Sequence, residues 1–185
     1  PFVELRRRLG VVTLALVLAF TVIYKFGDYF AQSLVMAFLQ RGIGFELSEI
    51  AVVNQVFGIA GVVIGGLAAG SLVARFGVRR MLIAFGVLQA ATNLLFALLA
   101  VTGKSYLVFG AAVLFDNLAN TMGTAAFVAV LMSVCTSAVS ATQFALLTSL
   151  TSVGQRVFGP FASDVVEAVD WAGFFTVTSA MAIPG

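Results

Sequence analysis

Charged and amide side chains that could do chemistry lie inside a long apolar run near the start of the chain. Residues 24–34 read YKFGDYFAQSL and place Lys25, Asp28 and Gln32 three and four positions apart. On a helix this spacing brings the three side chains within about 60° of one another. A charge at the centre of a membrane helix costs roughly 2.5–3.5 kcal/mol on insertion scales. The stripe therefore indicates packing, charge pairing or transport that offsets this cost.

Four charges fall within apolar segments, and they balance: Lys25 and Arg156 against Asp28 and Asp116. One interpretation is a set of structural salt bridges that hold helices in register, with Arg156 close enough to a span end to snorkel. The other is proton coupling by Asp28 and Asp116, because neutralising a buried carboxylate lowers the cost of keeping it in hydrocarbon. A proton that breaks a Lys25–Asp28 pair would then let the joined helices rearrange. The sequence leaves both interpretations open.

Amide side chains extend this polar set. Asp116, Asn120 and Gly123 share one helical face, with Asn117 at its edge. Amides donate and accept hydrogen bonds, as recognition of sugar hydroxyls and peptide groups requires. Each amide can equally serve as a contact between helices, worth about 0.6 kcal/mol on average. Together they favour a wet cavity whose substrate-binding candidates are Lys25, Gln32, Asn117, Asn120 and Gln143, with further amides at Asn54, Gln55, Gln89 and Asn93.

The composition places these residues in a membrane protein. Of 185 residues, 61% are hydrophobic and only 10% are charged, against about 45–50% apolar and 25% charged in soluble domains. A soluble fold of this size cannot hide so much apolar surface. The chain has no histidine and a single cysteine, Cys135, which excludes an internal Cys–His site or disulfide and argues against a triad hydrolase. We expect an all-α protein of the lipid bilayer that is not an enzyme and binds no metal, cofactor or nucleic acid.

Turn and charge signals divide the apolar sequence into six predicted transmembrane helices. Their approximate bounds are 9–40, 48–74, 81–101, 105–135, 141–166 and 171–185, the last one truncated. Six basic residues flank one side, at 6–8, 75, 79 and 80, whereas the other side carries Arg41 and Lys104. By the positive-inside rule the N-terminus is cytoplasmic. Six spans in this orientation are typical of half a twelve-span major facilitator carrier, so residues 1–185 are predicted to lack a partner half of six further spans.

The turn after the second predicted span resembles the major facilitator loop pattern G-x-L-x-D-R-x-G-x-R-R. Residues 70–80 read GSLVARFGVRR, with Ala74 at the aspartate position. Gly70 is expected to allow close helix approach, Gly77 to form the turn, and the arginines to cap helix carbonyls or bind the inner leaflet. A cytoplasmic anchor with a glycine turn is the alternative. The structural or gating candidates are Gly70, Arg75, Gly77, Arg79, Arg80, Arg156 and Pro160, the last expected to bend the fifth span.

Longer stretches resemble the AmpG-type muropeptide permeases, a major facilitator family. They are YKFGD at 24–28, RGIGF at 41–45, FDNL at 115–118, MGTAAFVA at 122–129 and SATQFALL at 140–147. The resemblance covers nearly the whole chain and implies the C-terminal half of such a permease. It further implies an inner-membrane location in Gram-negative bacteria and proton-driven import of N-acetylglucosaminyl-anhydromuramyl peptides for peptidoglycan recycling.

The resemblance also suggests roles for the polar residues. Lys25 is expected to attract carboxylates of a peptide stem, while the amides bind sugar and peptide groups and Asp28 or Asp116 carries the coupling proton. Two alternatives stay open. One is a major facilitator carrier for another small molecule, such as a drug or metabolite exporter; the other is a non-transporting membrane scaffold or sensor.

Overall fold

The computed structural model describes residues 2–24, 26–134, 141–142, 144–145, 148–149 and 162–182. Within those ranges every regular element is helical and no strand occurs. Four helical segments of this part of the chain are long and apolar enough to cross a membrane. The predicted all-α membrane fold is therefore confirmed.

The described chain forms α-helices joined by short turns and by two π-helical segments. In chain order these are α1 (Phe2–Ile23), α2 (Phe26–Ala37), a first π-helical segment (Phe38–Ile43), α3 (Leu47–Val53), a second π-helical segment (Asn54–Gly58), α4 (Ile59–Phe76), α5 (Val78–Thr102), α6 (Tyr106–Val134) and α7 (Ala162–Ala182). The four membrane-length segments that they build are Gly10–Ile43, Leu47–Phe76, Val78–Thr102 and Tyr106–Ser133.

These four segments overlap the first four predicted spans. The fifth predicted span, 141–166, lies mostly outside the described residues, together with Arg156 and Pro160. The predicted start of the sixth span coincides with a break in α7, where Asp170 has φ 60° and ψ 175°. The total of six spans stays a prediction.

Two helices, α1 and α2, lie within the first predicted span. Helix α1 ends at Ile23 and α2 begins at Phe26. Asp28 consequently lies in the first turn of a new helix instead of the middle of a long one. Lys25, at the junction, lies outside the described residues, and so does any contact that it makes.

Helix α5 lies at the centre of the packing. It contacts both α6 and α7, while α6 also packs against α4, and α2 packs against α7. Buried aromatic rings fill the space between these helices: the centroids of Phe38 and Phe175 are 4.8 Å apart, as are those of Phe45 and Phe109. Ring pairs of this kind stabilise a core beyond the area that they bury. The cluster holds α2, α5, α6 and α7 around one shared interior.

The contact between α4 and α6 depends on two glycines. A Cβ at Gly61 would lie 2.5 Å from the carbonyl oxygen of Leu114, and a Cβ at Gly65 would lie 2.7 Å from that of Leu118. Both oxygens belong to the α6 backbone, so no side-chain movement can make room. The glycines allow the two helix backbones to touch, which is how small residues promote helix association in membranes.

Among the described residues, the close approach to α6 occurs at Gly61 and Gly65. Gly70 is exposed, and no described atom lies within 4 Å of the position that its Cβ would take. Five residues beyond Gly65, it points about 140° away from the α6-facing stripe.

The turn between α4 and α5 is formed at Gly77, which has φ 85° and ψ 150°. Only glycine adopts such a conformation without strain. The three arginines of this turn, Arg75, Arg79 and Arg80, are all exposed.

Candidate functional site

The candidate site is built around one buried carboxylate, Asp116, on α6. Its side chain is only 4% exposed. Oδ2 accepts a hydrogen bond from Nε2 of Gln32 at 2.8 Å, and Oδ1 accepts one from Nε2 of Gln89 at 3.0 Å. The hydroxyl of Thr92 lies 3.4 Å from Oδ1. One carboxylate thus connects α2, α5 and α6.

Helical spacing explains why α5 supplies two of these groups. Gln89 and Thr92 are three residues apart and therefore share the face of α5 that meets α6. The Thr92 hydroxyl also donates to the carbonyl oxygen of Gln89 at 2.8 Å, which keeps it beside the carboxylate. In a membrane interior, polar groups must find such partners within the protein.

Neutral donors surround Asp116 in the described part of the chain. Gln32, Gln89 and Thr92 carry no charge, and the charge that acts on Asp116 within the described residues is the carboxylate of Asp28. The described structure thus has two buried carboxylates, Asp28 and Asp116, in one region of the helix interior. The arrangement is suited to a site that changes protonation state.

Asp28 is also buried, with 8% of its side chain exposed. Its place in the first turn of α2 puts it at the positive end of the helix dipole, where a carboxylate is favoured. The preceding residue, Gly27, packs against the backbone of Ala182, since a Cβ there would lie 2.9 Å from its nitrogen. The start of α2, which carries Asp28, thus packs against the end of α7.

Gln32 reaches from the surface of the described helices to the buried carboxylate. Its side chain is exposed, as is that of the neighbouring Ser33. Its Nε2 nevertheless donates to Asp116. A ligand that binds the exposed amide of Gln32 would therefore contact a group that is itself hydrogen-bonded to Asp116.

Asn117 and Asn120 lie apart from this cluster. Nδ2 of Asn117 donates to the carbonyl oxygen of Val113 at 2.8 Å, and its Cβ would lie 3.0 Å from a Cβ at Gly61. Asn117 therefore belongs to the contact between α4 and α6. Asn120 is half-buried, and its Oδ1 lies 3.5 Å from the Thr124 hydroxyl.

Of the predicted site residues, the structure brings together Asp28, Gln32 and Asp116. Lys25 and Gln143 lie outside the described residues. Sequence reasoning counted Gln89 among the amides but did not connect it or Thr92 to Asp116. The available signal was the spacing of residues 89, 92 and 93, which places three polar side chains on one face of an apolar helix.

A second polar cluster lies at the other end of α5. Nζ of Lys104 is 2.8 Å from Oε2 of Glu49, and the hydroxyl of Tyr106 donates to Oε1 of the same carboxylate. The hydrogen bond to Glu49 raises the pKa of Lys104 above the usual lysine value. The backbone amide of Glu46 also donates to Glu49, at 2.7 Å. These exposed contacts fasten the start of α3 to the turn between α5 and α6.

Comparison with known proteins identifies relatives of the whole described region. The chain is 46% identical to the anhydromuropeptide permease of Escherichia coli (strain K12) over 170 residues, which are 92% of this chain and 35% of the relative. Over most of its length the chain is therefore similar to part of an anhydromuropeptide permease. The same values hold for the anhydromuropeptide permease of Escherichia coli O157:H7. A protein of Haemophilus influenzae is 33% identical over 192 residues, covering 100% of this chain and 45% of the relative.

The chain spans about a third of the length of the anhydromuropeptide permeases that it matches, 35% in both cases. No protein-family model matches the chain. The homology and the four membrane-length helices make the chain part of a multi-pass membrane protein.

Proposed function

We propose that the chain is the C-terminal six-helix half of a proton-coupled importer of anhydromuropeptides in the bacterial inner membrane, with its N-terminus cytoplasmic. The 46% identity to anhydromuropeptide permease over 92% of the chain is the observation that carries the cargo assignment. A cavity between two halves requires the partner half, so residues 1–185 alone are not expected to transport.

The contacts of Asp116 support a coupling mechanism. While Asp116 is ionised, its charge-assisted hydrogen bonds hold Gln32 of α2 and Gln89 of α5 against α6. Such bonds are roughly twice as strong as neutral ones. A proton on Asp116 weakens them and frees the Gln32 amide to bind cargo. Binding of cargo by Gln32 favours the protonated state in turn, because the linkage is reciprocal.

The cargo chemistry fits the proposed binding residues. Anhydromuropeptides carry sugar hydroxyls, amides and carboxylates, which match the exposed amide of Gln32, the half-buried amide of Asn120 and the proposed groups Lys25 and Gln143. Asn117 is proposed to contribute through the helix contact in which it lies. The coupling ion is proposed to be H⁺, without a cofactor.

The decisive experiment is uptake of labelled anhydromuropeptide by proteoliposomes that contain the full-length protein, under an imposed pH gradient. We expect saturable accumulation that competes with unlabelled anhydromuropeptide. Absence of accumulation, with another small molecule transported instead, would assign the chain to a different major facilitator carrier. Absence of any substrate-dependent proton flux would favour the scaffold or sensor.

Asp28→Asn is expected to abolish accumulation driven by the pH gradient while leaving membrane insertion intact. The asparagine keeps the size of the side chain in the first turn of α2, but it cannot take up a proton. Asp164→Asn is the matched control, since Asp164 is exposed in the first turn of α7. Unchanged accumulation by Asp28→Asn would restrict Asp28 to a structural role at the helix start.

A further inference from the structure

Gln89 links the buried carboxylate of Asp116 to the centre of the bundle. Its side chain is 5% exposed and that of Asp116 is 4% exposed, so water has little access to either partner. The hydrogen bond from Nε2 to Oδ1 is 3.0 Å long. A charged acceptor makes such a bond stronger than one between two neutral groups.

The orientation of the Gln89 amide leaves its other end without a partner. No described residue donates a hydrogen bond to Oε1, and Nδ2 of Asn93, one turn further along α5, also lacks an acceptor there. A buried acceptor without a hydrogen-bond partner destabilises the folded protein. The reverse orientation would place Oε1 against an ionised carboxylate oxygen, which is repulsive. The amide therefore takes the orientation that an ionised Asp116 demands.

We propose that Gln89 is a positioning residue for Asp116 and sets the pH at which this carboxyl takes up its proton. The proposal deepens the proton coupling proposed above and rests on it. The described charge that acts on Asp116 is that of Asp28 on α2, and the side chains of α5 that contact Asp116, Gln89 and Thr92, are neutral. Gln89 is thus the closest buried donor on the α5 side of the carboxylate.

The unpartnered Oε1 also allows Gln89 to accept a hydrogen bond from protonated Asp116. When a proton binds Oδ1, the new hydroxyl meets the Nε2 donor and needs an acceptor instead. A half-turn of the terminal amide presents Oε1, which has no hydrogen bond to lose among the described residues. The hydrogen bond to the ionised form is the stronger of the two. On balance Gln89 therefore favours the ionised carboxylate and lowers the pH of proton uptake.

The test is an infrared pH titration of the purified full-length protein in lipid, without any cargo. Loss of a carboxyl C=O band in Asp116→Asn assigns the band to Asp116. We expect Gln89→Met, which keeps the length of the side chain and removes its polar atoms, to move the midpoint of this band upward by about one pH unit, since one unit equals about 1.36 kcal/mol. Gln89→Asn keeps an amide but is too short to reach Oδ1, and we expect a shift in the same direction.

The matched control is Asn93→Leu, which removes a neighbouring buried amide that makes no hydrogen bond to Asp116. We expect it to leave the midpoint unchanged even if it alters stability. An unshifted midpoint in both Gln89 variants, an equal shift in Asn93→Leu, or a wild-type protein without an Asp116 carboxyl band at any accessible pH would each overturn the proposal. The titration uses no cargo, so failure of anhydromuropeptide uptake would leave this result standing, and an unshifted midpoint would leave import intact.

Discussion

Asp116→Asn is expected to reduce accumulation driven by a pH gradient to the background of liposomes without protein. Asparagine matches aspartate in shape; its oxygen can accept the hydrogen bond from one of Gln32 and Gln89, and its NH2 group can donate to the other once that glutamine amide has turned over. It cannot bind and release a proton, so the gradient no longer drives the cargo. The measurement is the steady-state level of labelled anhydromuropeptide in proteoliposomes of the full-length protein.

Counterflow separates a loss of coupling from a loss of structure. Exchange of labelled for unlabelled cargo across the membrane needs binding and alternating access but no gradient, so Asp116→Asn is expected to retain it. Glu167→Gln, a change at an exposed carboxylate of α7, should retain both activities. Accumulation by Asp116→Asn at the wild-type level would contradict a coupling role, and loss of counterflow as well would indicate a structural one.

Gly61→Ala is expected to give the largest loss of stability among single-methyl changes in α4. The added Cβ would lie 2.5 Å from the carbonyl oxygen of Leu114, a backbone atom that cannot move without displacing α6. Overpacking of this kind costs about 1–3 kcal/mol. The measurement is the thermal unfolding midpoint of the full-length protein in detergent, which we expect to fall by several degrees.

Two glycines of the same helix provide matched controls. A Cβ at Gly66 would meet only Cγ2 of Thr121, at the ordinary contact distance of 3.9 Å, and no described atom lies within 4 Å of a Cβ at Gly70. Gly66→Ala and Gly70→Ala are expected to leave the midpoint within about a degree, or to raise it through better helix propensity. Equal midpoints for Gly61→Ala and Gly66→Ala would show that the α4–α6 contact is looser than the structure has it.

Several residues of the candidate site could be selected from the sequence, because the free energy of placing a side chain in hydrocarbon depends on the residue type. A carboxylate in an apolar run needs a partner or a function wherever it lies, so Asp28, Asp116 and Gln32 could be selected without coordinates. The sequence could not show which residues Gln89 and Asn117 contact. Both are amides in apolar segments, yet Gln89 donates to Asp116 and Asn117 lies in a helix contact. The contacts of the two amides differ because the rotation of each helix about its axis decides which neighbour each side chain faces.

The junction between α1 and α2 within the first predicted span is a second feature that the sequence could not predict. Hydropathy measures how well a segment dissolves in lipid and is insensitive to one or two non-helical residues. The sequence around Asp28 therefore reads as one long span, whereas α1 ends at Ile23 and α2 begins at Phe26. Beside this junction, Gly27 packs against the backbone of Ala182.

By itself the sequence determined the membrane environment, the all-α fold and the proteins to which the chain is related. Those properties depend on composition and on periodicities of a few residues. Only the tertiary structure decided that, among the glycines of α4, Gly61 and Gly65 meet the α6 backbone, and that Asp116 connects α2 to α5 through Gln32 and Gln89. Both outcomes depend on which helix faces meet, and residues distant in the sequence set that geometry jointly.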